Sequence, residues 1–245
     1  MWKYRRYASD KGKPLWQVYW RKLKTFTRLQ LGIPNPLVAE TILERTFVVR
    51  QGTIRRPPDL DDAWFLALAQ HSKTLFDIGA NVGYTALLAS FSPQLESIVL
   101  VDANPNALAI ATENLIRNHL EAQARFLCAF VGGGQGQEVR FLTYDTAAAG
   151  SMYKSQFKRI GASSFIHAPT VTIDWMCEKY QIIPDLVKLD IEGAEYQALL
   201  GTIQCARHKR TRFLVEMHSN PDFPCWSMPR TCCNGARRWA TTPGT

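Results

Sequence analysis

The 245-residue chain contains no apolar run of the roughly 18 residues that a membrane-spanning helix requires. Nor does the opening Met1-Trp-Lys-Tyr-Arg-Arg lead into the apolar stretch of a signal peptide, so a cytoplasmic protein is expected. Internal repeats and low-complexity tracts are absent. Among the six cysteines, at 128, 177, 205, 225, 232 and 233, none form a Cys-x-x-Cys pair, which excludes the usual zinc ribbons and fingers. Cys128, Cys177 and Cys205 fall within apolar patterns, where a thiol acts as a small hydrophobe. Cys225, Cys232, Cys233 and His218 lack a recurrent ligand spacing. The chain is also too short for two full α/β domains.

A basic core is missing as well. Residues 1–30 carry nine Lys/Arg against Asp10 alone, and residues 207–245 carry seven against two acids. The middle, residues 31–206, has thirteen basic and eighteen acidic residues. A nucleic-acid-binding domain would carry its basic stripe through the fold, so no nucleic acid partner is expected. Residues 1–40 read as a basic, aromatic extension. Trp16, Tyr19, Trp20, Leu23 and Phe26 share one face at helical spacing before Pro34 and Pro36 break the segment. That stripe either docks on its own domain or lies on an anionic membrane through residues 1–30.

What is present is alternation of strand and helix. Thr46–Gln51 reads as a strand, and Asp59–Gln70 as a helix that Asp59 caps. From Lys73 onward strands are expected at 74–79, 97–102, 125–131, 138–144, 186–190 and 212–218. Helices are expected at 84–90, 106–120, 172–180 and 195–206, with 145–169 a loop or broken helix. The fold class is therefore α/β, a doubly wound and mainly parallel Rossmann-like sheet, over residues 41–220.

Ligands of such sheets sit beyond the carboxyl ends of the strands. The tips here are Asp77-Ile-Gly-Ala-Asn-Val-Gly, Asp102, Asp190-Ile-Glu and Glu216-Met-His. Gly79 and Gly83 permit a tight turn and close ligand approach, and Asp102 suits the two hydroxyls of a ribose. A dinucleotide fold wants Gly-x-Gly-x-x-Gly, but the corresponding positions are Gly79, Asn81 and Tyr84. Asp77 would repel a pyrophosphate and suit a cationic amino group. S-adenosylmethionine fits these residues better than NAD.

Phe76-Asp-Ile-Gly-Ala-Asn-Val-Gly, Val101-Asp-Ala-Asn-Pro and Val187-Lys-Leu-Asp-Ile-Glu-Gly-Ala-Glu resemble the FkbM-type family of class I S-adenosylmethionine-dependent methyltransferases. Ser163-Ser164 and Val171-Thr-Ile-Asp-Trp-Met resemble the family's serine pair and following helix. The resemblance implies O-methylation of a small-molecule or glycan-like acceptor. It also implies that Asp77, Gly79, Asn81 and Gly83 hold the methionine end, Asp102 the ribose and Ala129 the adenine. Family members more often carry Glu where Asp102 stands. Asp102→Ala is expected to weaken cofactor binding and spare the fold.

A hydroxyl acceptor must lose a proton, for which Asp190, Glu192, Glu216 and His218 are candidates. Asp190 is placed nearest the transferred methyl and His218 as base or acceptor-orienting residue, with Glu192 beside them. Glu195 reads as a carboxylate that favours the start of its helix. Asp190, Glu216 and His218 form a set that would offer Mg²⁺ two carboxylates, but an imidazole adds little for a hard cation, and no metal is expected. A non-catalytic module with the same fold and an NAD-dependent oxidoreductase are the alternatives. Residues 221–245 hold no run suited to a buried strand, so the sheet is expected to stop at 212–218 without a closing hairpin, as in a truncated or frameshifted product.

Overall fold

The computed structural model describes residues 14, 16, 35–56, 58–143, 150–151, 164–208 and 210–218. Apart from Trp16, the leader stripe lies outside them, as do Ser163, residues 219–245 and the cysteines at 225, 232 and 233. Strands β1 (Leu37–Ile42) and β2 (Arg45–Arg50) pair as an antiparallel hairpin that begins inside the segment read as leader. Helix α1 (Leu60–Ala69) follows, and Asp59 caps it as expected. Asp59 accepts from Asp62 N at 3.2 Å while Asp62 accepts from Asp59 N at 3.0 Å. Such a capping box contributes on the order of 1 kcal/mol.

The alternating segment is built from β3 (Thr74–Ile78), α2 (Tyr84–Ala89), β4 (Ser97–Asp102), α3 (Pro105–Arg117) and β5 (Ala124–Cys128). After a four-strand excursion it resumes with α4 (Ile173–Tyr180), β10 (Leu186–Leu189), α5 (Glu195–Leu200), α6 (Ile203–Arg207) and β11 (Arg212–Val215). The parallel sheet runs β11-β10-β3-β4-β5. This is the class I methyltransferase, Rossmann-like arrangement, with order 3-2-1-4-5 when the parallel strands alone are counted in chain order. Among the described residues β11 is an edge.

Strand alternation sorts the core into two layers. Ile98 and Leu100 face α1, α2 and α3, whereas Val99 and Val101 face α4, α5 and α6. Residues such as Phe76, Leu87, Leu115 and Met176 are fully buried, each worth roughly 1.5–3 kcal/mol of transfer free energy. Strand β2 of the hairpin is tied down by side chains of α3 and its C-cap. Asn114 accepts from Arg50 N, Asn118 both accepts from and donates to Val48, and Glu113 takes the Arg50 guanidinium at 2.6 and 2.8 Å.

Four sequence expectations need correction. The run 125–131 is not one strand: it breaks at Ala129, and β6 (Phe130–Val131) leaves for a second sheet. The strand expected at 138–144 is β7 (Glu138–Thr143), and it is not in the parallel sheet. It pairs antiparallel with β9 (Ser164–Val171), within a four-stranded sheet ordered β6-β9-β7-β8 that includes β8 (Gly150–Ser151). β9 itself lies in the stretch read as loop, because Pro169 discourages a strand; it pairs at the end of the ladder, opposite Glu138. The helix expected at 195–206 is broken at Gly201. A side chain there would come within 2.6 Å of the Gly132 carbonyl and 2.9 Å of Thr172 Cβ, so the chain bends to pack against both.

Candidate active site

The chain runs outward from β3 through β4 to β5, then returns to β10 on the other side of β3. The switch point of the sheet is therefore between β3 and β10, where a crevice opens in folds of this kind. Asp77 stands on β3 and Asp190 directly follows β10, with Asp102 on the tip of β4 and His218 just after β11.

The glycine turn fits tightly against neighbouring backbone and side chains. Gly79 has φ +82°, and a Cβ on it would lie 1.9 Å from the Asp190 carbonyl oxygen. Gly83, also at φ +82°, lies against Ala111 of α3, whose Cβ would be 3.1 Å from an added side chain. The two glycines let the β3 turn close on the β10 tip and on α3. Asn81 takes a left-handed φ of +50°, which asparagine tolerates better than most residues.

Asp102 is part of the same construction. Its Oδ2 accepts from Asn81 N at 2.8 Å and its Oδ1 from Asn104 N at 2.8 Å. Burial raises its pKa, and these two N–H donors pull the other way. Each oxygen keeps a second lone pair for a hydroxyl. A carboxylate that holds two loop amides thus also has a structural part beside the ribose role expected of it. Ala129 is buried behind it and donates its N–H to the Asp102 carbonyl at 3.2 Å. Cys128, read as a buried hydrophobe, is exposed at the end of β5.

Asp77 is fully buried, and neither of its carboxylate oxygens accepts a hydrogen bond. Burial pushes its pKa up to about 6, against the pull of Lys188, whose Nζ lies 3.7 Å away. Lys188 is the site residue that sequence reading passed over. It sits opposite Asp77 in the β10–β3 register and reaches Asp190 Oδ2 at 3.1 Å. Burial alone would lower its pKa, but Asp190 and Asp77 outweigh it and hold the ammonium charged. Burial likewise opposes the charge of Asp190, and Lys188 and His218 overcome it, so its pKa is lowered. The signal was a lone charge in the apolar strand Leu-Val-Lys-Leu.

His218 meets carboxylates from three elements. Its Nδ1 lies 2.9 Å from Glu195 Oε1, and its Nε2 lies 3.6 Å from Glu216, 3.9 Å from Glu192 and 4.0 Å from Asp190. The bond to Glu195 above all pushes its pKa up to about 9. Burial raises the pKa of both Glu192 and Glu216, which are partly exposed. One potential ligand atom from each of Asp190, Glu192 and His218 lies within 4.8 Å of the others, so Glu192 rather than Glu216 completes the tightest metal-capable set. Lys188 already occupies one side of Asp190. A small cavity of about 60 Å³ adjoins this cluster, lined by Arg55, Asp62, Phe65, Lys188, Asp190 and Glu216 among others. Arg55, also unmarked in the sequence, is anchored there by Asp59.

No curated protein matches the chain. Solved structures similar to it include a SAM-dependent methyltransferase from Agrobacterium tumefaciens, with 15% identity over 62% of this chain and 38% of that one, at a TM-score of 0.33. An O-methyltransferase from Bacillus cereus in complex with SAH has 13% identity over 58% and 47%, at 0.32. TYW2 from M. jannaschii in complex with AdoMet has 15% over 38% and 43%, at 0.30. The chain spans less than half the length of each, and likeness this distant says nothing of donor or acceptor. The sequence of residues 77–232, well over half of the chain, matches the methyltransferase FkbM domain. The chain belongs to the FkbM methyltransferase family.

Proposed function

We propose that this protein is an S-adenosylmethionine-dependent O-methyltransferase whose acceptor is a hydroxyl of a small or glycan-like molecule. The observation that carries the reading is Asp77. A buried carboxylate with no hydrogen-bond donor is costly to keep, and a cationic amino group at the switch point would satisfy it. Asp102 has lone pairs left for ribose hydroxyls, and Ala129 lies next to it at the β4–β5 tips, where an adenine would lie. Gly79, Asn81 and Gly83 shape the turn between them. These residues fit the cofactor.

Bound S-adenosylmethionine supplies an activated methyl group on a sulfonium. The chain's own task is then alignment, which is worth up to roughly 7–11 kcal/mol, and removal of the acceptor's proton, worth about 10²–10⁴-fold. Asp190, held by Lys188 at the crevice, orients the acceptor beside the methyl. His218, with Nε2 turned to the same side, takes the proton, and Glu192 completes the polar rim.

Calorimetry with S-adenosylmethionine, S-adenosylhomocysteine and NAD tests the cofactor, and a labelled methyl donor with a panel of sugars and phenols tests the reaction. Binding of both methionine derivatives and label in the product are expected. Binding of NAD alone would overturn the reading, and cofactor binding without transfer to any acceptor would favour a non-catalytic module.

A further inference from the structure

Glu195 stands in the first turn of α5, where a carboxylate ordinarily favours the exposed N–H groups of the helix. Its side chain does something else. It is fully buried and folds back from the helix. Oε1 accepts from Gly193 N at 3.0 Å, from Ile191 N at 3.2 Å and from the His218 ring at 2.9 Å, and the His218 N–H points at Oε2 from 3.4 Å. One carboxylate thus joins the turn that bears Asp190 and Glu192 to the segment that bears His218.

We infer that Glu195 is a positioning residue, which fixes a proton on Nδ1 of His218 and turns Nε2 to the acceptor, so that the two act as a Glu–His pair. The inference rests on the methyl-transfer reading and deepens it. An ionised carboxylate only accepts, so the ring nitrogen facing it must carry the proton. Nε2 is then the nitrogen that remains for a substrate. Its nearest protein oxygens, on Glu216, Glu192 and Asp190, are 3.6–4.0 Å away, beyond a normal hydrogen bond. The acceptor hydroxyl gives its proton to Nε2 while its oxygen bonds the methyl carbon. The carbon–sulfur bond breaks with its electron pair left on sulfur. The imidazolium so formed faces Glu195, and it returns its proton to solvent.

The charged groups around the ring come from every neighbouring element. They are Asp190 at the end of β10, Glu192 in the turn, Glu195 on α5 and Glu216 after β11, with Lys188 behind Asp190. All four carboxylates favour the protonated ring, consistent with a pKa near 9. The neutral form is the active one, so kcat/KM should rise about tenfold per pH unit from 7 to near 9 and level off there.

The experiment is an NMR titration of His218 in the full chain, with its signals identified by their loss in His218→Gln. Pairing predicts a midpoint well above 6.5 and, in the neutral ring, the proton on Nδ1. Glu195→Gln keeps an oxygen for the three donors and removes the charge. It should lower the midpoint by more than one unit and shift the kinetic limb equally, and it should reduce the alkaline plateau at least tenfold. S-adenosylhomocysteine affinity should stay within twofold. Glu195→Asp, which retains the charge, should restore part of both shifts. A midpoint at or below 6.5 in the native chain, a neutral proton on Nε2, or a titration unmoved by Glu195→Gln would overturn the pairing. If no variant transfers methyl to any acceptor, the proposed function fails, while the titration still decides the pairing.

Discussion

A side chain at Gly79 would collide with the Asp190 carbonyl, and Gly79→Ala tests what that tight packing does. A Cβ at 1.9 Å must retreat to at least 3.0 Å, so the β3 turn and the β10 tip must part by about 1.1 Å. Two penalties add. An L-residue held at φ +82° costs about 1–2 kcal/mol, and forcing packed backbone apart costs about 1–3 kcal/mol more. The sum, about 2–5 kcal/mol, is a large part of the roughly 5–15 kcal/mol that stabilises a domain. Gly136→Ala separates the two, because Gly136 has φ +79° with nothing within 4 Å of an added Cβ. It should show only the conformational penalty. Urea denaturation of both variants gives the difference, and calorimetry with S-adenosylhomocysteine gives the functional consequence. Parting the strands moves Asp190 and Lys188, which belong to the β10 side, away from Asp77 on β3, so Gly79→Ala should bind at least tenfold more weakly. If Gly79→Ala is no less stable than Gly136→Ala and binds normally, the strand-tip contact is not what the glycine is for.

Three further outcomes follow from the same geometry. Asp102→Ala removes the acceptor of two loop amides, each such bond to a charged group being worth about 1.5–3 kcal/mol, so the midpoint of thermal unfolding should fall together with cofactor affinity; weaker binding at unchanged stability would restore the simple ribose role. Asp77, with a folded pKa of about 6 against about 3.9 when unfolded, holds a proton in the native state that the unfolded chain has released. Stability should therefore fall as pH rises from about 4 to 6.5, by at most about 3 kcal/mol, and Asp77→Asn should flatten that limb in urea titrations at several pH values. Sedimentation with anionic vesicles tests the leader: salt-sensitive binding that is lost on deleting residues 1–30 supports membrane contact, and no binding retires it.

Most of the parallel sheet was legible because its strands are short, apolar and separated by helices of the right period. Asp59 marks a helix start by residue type alone, and it accepts a first-turn N–H. The second sheet was not legible for a physical reason. β7 and β9 join residues separated by up to thirty-one positions, and one of them carries a proline, so their pairing leaves no local periodicity. The site divides in the same way. Asp77, Asp102, Asp190 and His218 were legible as candidates because strand tips can be read from the sequence. Lys188 and Glu195 were missed in role because their meaning lies across strands. Lys188 matters through the strand beside it and Glu195 through a histidine twenty-three residues later.

The charge balance of the crevice explains why these two belong to the site at all. Asp77, Asp102, Asp190 and Glu195 are buried or nearly so, and burying each charge carries a desolvation penalty of several kcal/mol in a dry interior. Among the described residues, Lys188 stands between Asp77 and Asp190, and His218 between Asp190 and Glu195. Two cations thus serve three of the four acids, and backbone amides serve Asp102. Asp77 is left weakest: its cation is at 3.7 Å and shared, and its pKa has risen accordingly. A cationic amino group placed there would lower the penalty where it is least compensated. S-adenosylmethionine and S-adenosylhomocysteine carry the same amino group, so replacing Asp77 with asparagine should weaken both by a similar factor in calorimetry, while an analogue that lacks the amino group should be little affected. Two derivatives that bind the variant as tightly as the native chain would place the amino group elsewhere in the crevice.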